Sequence, residues 1–384
     1  MTFALNQNNA DPNQWERLLG LTAAAAADGV AVRPQVTART VSILLGFQTF
    51  HPFAFTPVWG QSGLGLLPWR SRWPGSVATC RCASGSSPKP ERWRRIRWVM
   101  GFMAPERSYL LGNPPDYEPS GAASVTGIVA ARGAGVWETF LDLLLADGGR
   151  ELLNSPVLNY SDGNLDATRE MLVRPTSVFG LGDGGAHAGQ TCDASTTTFL
   201  LSYWARDRRE GRIAVEEAVR MATSSTADLY GLGDRGRLLA GMRGDVNVID
   251  LPALQLHRPE LAHDLPGGAR RLIQRADGYI ATVNAGQVTV EEGEDTGAAL
   301  ARSSEEPGEH RTPPAVPVHV DVRVDGGGGP VLGRALRPGL GRDQGRASGR
   351  LRLLGRPHRA DHRCPGTRRH RGPAPARAGH AVGL

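Results

Sequence analysis

Ser177-Val-Phe-Gly-Leu-Gly-Asp-Gly-Gly-Ala-His-Ala-Gly-Gln-Thr-Cys-Asp-Ala-Ser195 is the stretch on which the reading of this chain turns. Val178, Phe179 and Leu181 form a short apolar run that ends in an acid, Asp183, so Ser177 to Asp183 reads as a buried strand. A glycine-dense loop follows, carrying His187, Cys192 and Asp193, and a helical pattern then opens with Ser195 as its expected N-cap. A strand that delivers a carboxylate into a glycine loop and then turns into a helix is how α/β enzymes present catalytic groups.

The neighbouring segments agree with that setting. Upstream, Val136 to Ala146 carries Phe140, Leu141, Leu143 and Leu144 on one side of a helix, Pro156 to Tyr160 is strand-like, and Asn164 to Leu172 is helical. Downstream, helices are expected over Thr196 to Arg206 and Val215 to Met221. At the start of the chain, Thr2 to Leu5 reads as a strand. Asp11-Pro12 opens a helix that carries Trp15, Leu18 and Leu19 and closes at Gly29. Val30 to Val36 alternates as a strand, completing a βαβ unit. Alternating strands and helices predict a parallel α/β architecture. After Gly231 the pattern changes: a turn at Gly236 leads to a strand ending at Asp250, and Ile280 to Val283 with Gln287 to Val290 reads as a hairpin.

The 384 residues carry 44 basic and 38 acidic side chains, a net charge of +6. That charge is unevenly placed. Residues 301–384 hold 16 arginines against 7 acids, and 58–100 hold 8 basic residues against Glu91 alone, which leaves the foldable remainder acidic. A general preference for acidic partners therefore does not follow from the pI. Segment 58–100, with Trp69, Trp73, Trp93, Trp98, Cys80 and Cys82, has no period. It reads as a disordered or out-of-frame stretch of GC-rich coding sequence, given a single lysine among 44 basic residues, or as a basic-aromatic nucleic-acid patch. Residues 301–384 lack aromatics, and 25 of the 84 are Gly or Pro, a composition of disorder, with an arginine-rich RNA-binding tail as the alternative. Four scattered cysteines give neither a zinc-finger spacing nor a disulfide framework, and no apolar run is long enough to span a bilayer. A cytoplasmic protein without membrane partners is expected.

Gly182-Asp-Gly-Gly-Ala-His187 with Cys192-Asp-Ala-Ser195 resembles the last barrel strand and loop of the N-acyl-D-amino-acid deacylases (D-aminoacylases) of the amidohydrolase superfamily. Further matching pieces are Arg33-Pro-Gln-Val36, His51-Pro-Phe53, Pro114-Pro-Asp-Tyr-Glu118 and Leu158-Asn-Tyr-Ser-Asp-Gly-Asn164. Gly236-Arg-Leu, Gly241-Met-Arg-Gly-Asp-Val246, Gln274-Arg-Ala-Asp-Gly-Tyr279 and Asn284 to Gly286 continue the resemblance, which covers 1–57 and 101–300. It implies an α/β fold: the C-terminal part of a TIM-like (β/α)8 metal-dependent hydrolase barrel plus a small β-rich domain, with irregular segments. The expected divisions are barrel units over 1–57, an irregular insert over 58–100, barrel units with the Asp183 loop over 101–230, a β-rich domain over 231–300 and a disordered tail over 301–384.

The resemblance also implies hydrolysis of the amide bond of N-acyl-D-amino acids with bound zinc. A metal-bound water has its pKa lowered toward about 7, and a carboxylate at the strand end relays its proton to the leaving amine. Asp183 stands where the family's general acid/base stands. His187 is a candidate to polarise the carbonyl or touch a metal, with a loop-stabilising hydrogen bond as the alternative; Cys192 and Asp193 read as packing and turn groups. The family usually carries an early His-x-His strand. This chain has none: before Ala301 its histidines are His51, His187, His257 and His263, and Asn6 and Gln7 follow the first strand. The N-terminal half of the barrel is thus expected to be missing, no metal ligands are identifiable, and the isolated chain is expected to be inactive or nearly so. The partner expected is a small N-acyl amino acid rather than nucleic acid. The competing readings are a basic nucleic-acid-binding protein using 58–100 and 301–384, and another amidohydrolase of the hydantoinase or dihydroorotase kind.

Overall fold

Thr2–Ala4 (β1) and Arg33–Val36 (β2) lie parallel, with Thr2 opposite Arg33 and Ala4 opposite Gln35. They belong to a computed structural model that describes residues 1–55, 105–182 and 187–298. Asp183 and the segments 58–100 and 301–384, for which the sequence carries expectations, lie outside the described residues. The crossover between β1 and β2 is helix α1, Gln14–Ala27, whose alanine run has the highest helix propensity. Trp15, Leu19 and Thr22 recur at helical spacing and are its buried face. Gly29 ends it at φ 78°, a left-handed conformation that suits glycine. The βαβ expectation is met, although β2 begins at Arg33 rather than Val30.

Val178–Phe179 (β6) adds to the other side of β2 in parallel, pairing Val36 with Phe179. The strand expected over 177–183 is only two residues long. Leu181 has φ 59°, which a side-chain-bearing residue in a strand cannot adopt, so the pairing stops after Gly180 donates to the Val36 carbonyl at 2.9 Å.

A second, antiparallel sheet is built from Val41–Leu45 (β3), Leu153–Leu158 (β5) and Tyr109–Leu110 (β4), with β5 in the middle. Pro156 cannot donate to a ladder, and it sits beyond the reach of β4, where the β3 register shifts between Val41 and Ser42. Helix α2, Val125–Arg132, is capped by the Ser124 hydroxyl, which accepts from Gly127 N at 2.9 Å. Helix α3, Val136–Gly149, leaves helical geometry at Ala146, as its sequence period suggested. Phe140, Leu141 and Leu144 of α3 bury against Leu45 and Leu153 in a separate apolar cluster.

Helix α4 is Asp166–Leu172. Helix α5 starts at Thr196–Phe199 and widens into a π-helix over Leu200–Asp207, with Arg208 N reaching the Tyr203 carbonyl at 2.8 Å. Helix α6 is Val215–Ala222, and helix α7 is Ser224–Leu229. A carboxylate ties the loop at Pro114–Glu118 to α4 and α5. Glu118 accepts from Arg208 Nε at 3.1 Å and Nη2 at 3.0 Å, from Leu165 N at 2.7 Å and from the Tyr203 hydroxyl.

The last stretch is antiparallel β. Val246–Ile249 (β7), Tyr279–Asn284 (β12), Gln287–Glu291 (β13) and Glu294–Asp295 (β14) form a four-stranded sheet in the order β14-β13-β12-β7. The β12–β13 hairpin turns on Ala285 and Gly286, at φ 49° and 81°, as the short polar turn predicts. Shorter pairs join Gln255–Leu256 (β8) to Ala276–Asp277 (β11), and Glu260–Leu265 (β9) to Ala269–Ile273 (β10). The main core draws Leu5, Val36, Phe179, Leu200 and Trp204 together with Leu254, Leu272 and Tyr279, so β and α/β segments share one interior. Among the described residues no helix is long and apolar enough to cross a membrane.

Candidate active site

The chain leaves β2 through Thr37-Ala-Arg-Thr40, all four buried, at the carboxyl end of the parallel strands. This is the end at which α/β sheets present ligand-binding loops. Thr37 and Thr196 share a hydroxyl hydrogen bond of 3.1 Å, and Thr196 Oγ1 also accepts from Ala38 N at 3.2 Å. The indole of Trp204, fully buried, donates to the Ala38 carbonyl at 2.6 Å. The start of α5 is thereby fastened to the exit of β2.

Arg39 is the charged group of this floor, 1% exposed. Its Nη2 donates to the Asp193 carboxylate at 3.1 Å and to the Cys192 carbonyl, and its guanidinium lies over the Tyr117 ring at 4.0 Å. That is a cation–π contact, in which the ring attracts the cation but supplies no formal negative charge. Tyr117 and Gln274 exchange hydrogen bonds of 3.0 and 3.3 Å, and Gln274 Oε1 also accepts from the Ser195 hydroxyl. Burial pushes the Tyr117 phenol up and the Cys192 thiol up to about 11, against the opposing effect of the Arg39 charge. Cys192 is thus a neutral thiol and not a nucleophile at neutral pH.

Ser195 stands at the N-cap of α5 as expected but makes no side-chain cap bond; its hydroxyl is engaged by Gln274 instead. Asp193 opens the turn as expected, its carbonyl accepting from Thr196 N at 3.0 Å, and its carboxylate is in addition a buried partner of Arg39. His187 is exposed and left-handed at φ 49°; its carbonyl accepts from Gln190 N at 2.7 Å and Thr191 N at 3.1 Å. The turn that follows is pinned on both sides, by Leu44 N to the Gln190 carbonyl at 2.8 Å and Leu272 N to the Ala188 carbonyl at 2.6 Å. Leu181 and His187, both at positive φ, bracket the glycine loop. Such conformations are costly and collect at functional loops. Asp183 lies between them, outside the described residues.

Zinc requires a tight set of three or four His, Cys, Asp or Glu ligands. Among the described residues there is no such group. His257 pairs with Asp277 at 2.8 Å, His263 meets the Gly268 carbonyl at 3.3 Å, and His51 is buried beside Phe47 with ring centroids 4.8 Å apart. At the end of β1 the side chains are amides already committed to protein partners. Gln7 Nε2 donates to Asp162 at 2.6 Å, Gln7 Oε1 accepts from Ser161 N at 3.0 Å, and Asn159 Nδ2 donates to Asn6 Oδ1 at 3.0 Å. The described residues do not fit a zinc centre.

Arg39, Tyr117 and Gln274 were not singled out as site residues from sequence. Tyr117 and Gln274 stand inside the Pro-Pro-Asp-Tyr-Glu and Gln-Arg-Ala-Asp-Gly-Tyr motifs. Arg39 had one available signal, a cation isolated between two apolar runs with no acid nearby.

The amidohydrolase family profile matches residues 146–290, a span that takes in the glycine loop, Asp193, Ser195 and Gln274. No curated protein matches the chain. Among solved structures, that of D-aminoacylase, described as defining a novel subset of amidohydrolases, is 16% identical with a TM-score of 0.35, covering 77% of this chain and 54% of that one. N-acyl-D-glutamate deacylase from Bordetella bronchiseptica, complexed with zinc and a phosphonate inhibitor, is 16% identical with a TM-score of 0.36, covering 75% and 46%. Overlaps at these TM-scores carry no weight for fold or chemistry. The chain spans about half the length of the solved structures it matches.

Proposed function

From the match of residues 146–290 to the amidohydrolase family, we propose that the chain is built for hydrolysis of the amide bond of N-acyl amino acids, the D-enantiomers first. The observation that carries this reading is the family match across the loop that follows β6. The D-aminoacylase resemblance of the motifs at 114–118, 158–164 and 182–195 supports the narrower substrate class. In this reading Asp183, at the strand end, is the group that takes a proton from water and passes it to the departing amine. His187 is exposed beside it in sequence and is a candidate to contact the acyl carbonyl.

The family's barrel and small β-rich domain belong to the same proposal, as does its use of a metal. No step is routed through zinc here, because the described residues offer it no ligand set. The expectation is accordingly that the purified chain binds N-acetyl-D-amino acids and turns them over far below the ordinary enzymatic range of about 1–1,000 per second. Amine release from N-acetyl-D-leucine, measured with and without added zinc and in parallel on Asp183→Asn, tests this. Turnover at an ordinary rate would refute the low-activity claim; absence of binding would refute the substrate class.

A further inference from the structure

Two arginines of the described chain are nearly or fully buried at carboxylates, and they are partnered differently. Arg208 places both Nε and Nη2 on Glu118 and gives Nη2 a second acceptor, Asp166 at 2.6 Å. Arg39 has both of its acceptors, the Cys192 carbonyl and Asp193, on Nη2. Its Nε and Nη1 are sealed from solvent and have no hydrogen-bond acceptor. These atoms carry three N–H donors, and buried donors are almost always satisfied. The guanidinium carbon lies over the Tyr117 ring, and the N–H donors of the planar group point outward along its edges.

We infer that Arg39 is a specificity-determining residue, the anchor for a carboxylate of the ligand at the carboxyl end of the β1-β2-β6 sheet. A carboxylate is planar and offers two acceptors to the guanidinium edges. Asp193 already sets one negative charge 3.1 Å from Arg39, which favours a monoanion over a dianionic phosphate. The choice of a carboxylate rests on the N-acyl amino acid reading, whose ligands carry one.

The test compares N-acetyl-D-leucine with its neutral carboxamide, on the full chain, by ligand-dependent thermal shift at constant ionic strength. The acid should raise the midpoint saturably and the amide should not. Arg39→Met should weaken the acid roughly 10- to 100-fold, the loss expected for a charged hydrogen-bonded anchor, with Arg39→Lys retaining part of it. Equal shifts by acid and amide, no shift by the acid, or full retention in Arg39→Met would each overturn the inference. Should Arg39→Met fail to fold by circular dichroism, the acid-against-amide comparison on the unaltered chain decides alone. Amine release is followed separately: binding of the acid with little or no hydrolysis supports the anchor and is the outcome the proposed function expects, turnover at an ordinary enzymatic rate counts against the low-activity claim and leaves the anchor standing, and equal hydrolysis of acid and amide overturns only the anchor.

Discussion

Replacing Glu118 with alanine strips four hydrogen bonds from a single point in the fold. The Arg208 guanidinium loses the contacts from Nε and Nη2, Leu165 N loses its acceptor at the entrance to α4, and the Tyr203 hydroxyl on α5 loses its partner. The Arg208 and Glu118 side chains are 10% and 14% exposed, so the arginine cannot simply turn to water. It keeps Asp166, itself 70% exposed and correspondingly weak. Removing a partner from a buried pair costs about 3–5 kcal/mol, and the surviving Asp166 contact places this site near the lower end, at about 3 kcal/mol. For a folded unit of this size that corresponds to a fall in Tm of about 6–12 °C. Thermal and urea unfolding followed by tryptophan fluorescence measure it. Asp166→Asn should cost no more than about 0.5 kcal/mol, and Glu118→Ala with Arg208→Met should recover most of the loss, because no charge is then left buried alone. A Glu118→Ala protein within about 0.5 kcal/mol of the parent would refute the claim that this carboxylate holds the 114–118 loop to α4 and α5.

Gly278→Ala and Gly29→Ala should separate steric clash from backbone strain. A Cβ at Gly278 would meet Leu254 Cα at 2.6 Å with φ at 92°, whereas one at Gly29, φ 78°, meets nothing within 4 Å. Losses of about 3 kcal/mol or more and about 1 kcal/mol respectively are expected from chemical denaturation, and equal losses would contradict the contact. Cys192 should resist alkylation at pH 8 in the folded chain when Cys80, Cys82 and Cys364 are replaced by serine, and react once urea is added; rapid reaction when folded would place the thiol elsewhere. Its pKa rises from 9.0 to about 11 on folding, so its stabilising contribution is complete below pH 9 and is lost as pH rises toward 11. Cys192→Ala should flatten the stability curve in that window.

The local signals of the sequence translate directly into local structure. The alanine run closed by Gly29 is a helix, Asn284-Ala-Gly286 is a hairpin turn, and Val136 to Leu145 is a helix that stops where its period stops. Each depends on contacts a few residues apart, which propensity and turn chemistry encode. The strand after Ser177 was legible as apolar but not in length, because a left-handed Leu181 cannot be read from its side chain.

The glycine loop divides the same way. Its residues, and the acid that opens it, are properties of the sequence alone; as a pattern they mark an α/β active-site loop, and it is their resemblance to the D-aminoacylase loop, within the span 146–290 that matches the amidohydrolase family, that points to amide hydrolysis. What its far end does was decided only by the tertiary structure. Asp193 looked like a turn residue and Ser195 a helix cap because both are common in those local roles. In the fold, Asp193 meets an arginine 154 positions away and Ser195 a glutamine 79 positions away. Both keep their local places, Ser195 at the N-cap of α5 and Asp193 at the turn, while burial of their polar side chains requires the distant partners that folding brings in. The sequence determined which groups the loop carries; the packing of β2, α5 and the Gln274 segment around it determined which of them remain free to act on a ligand.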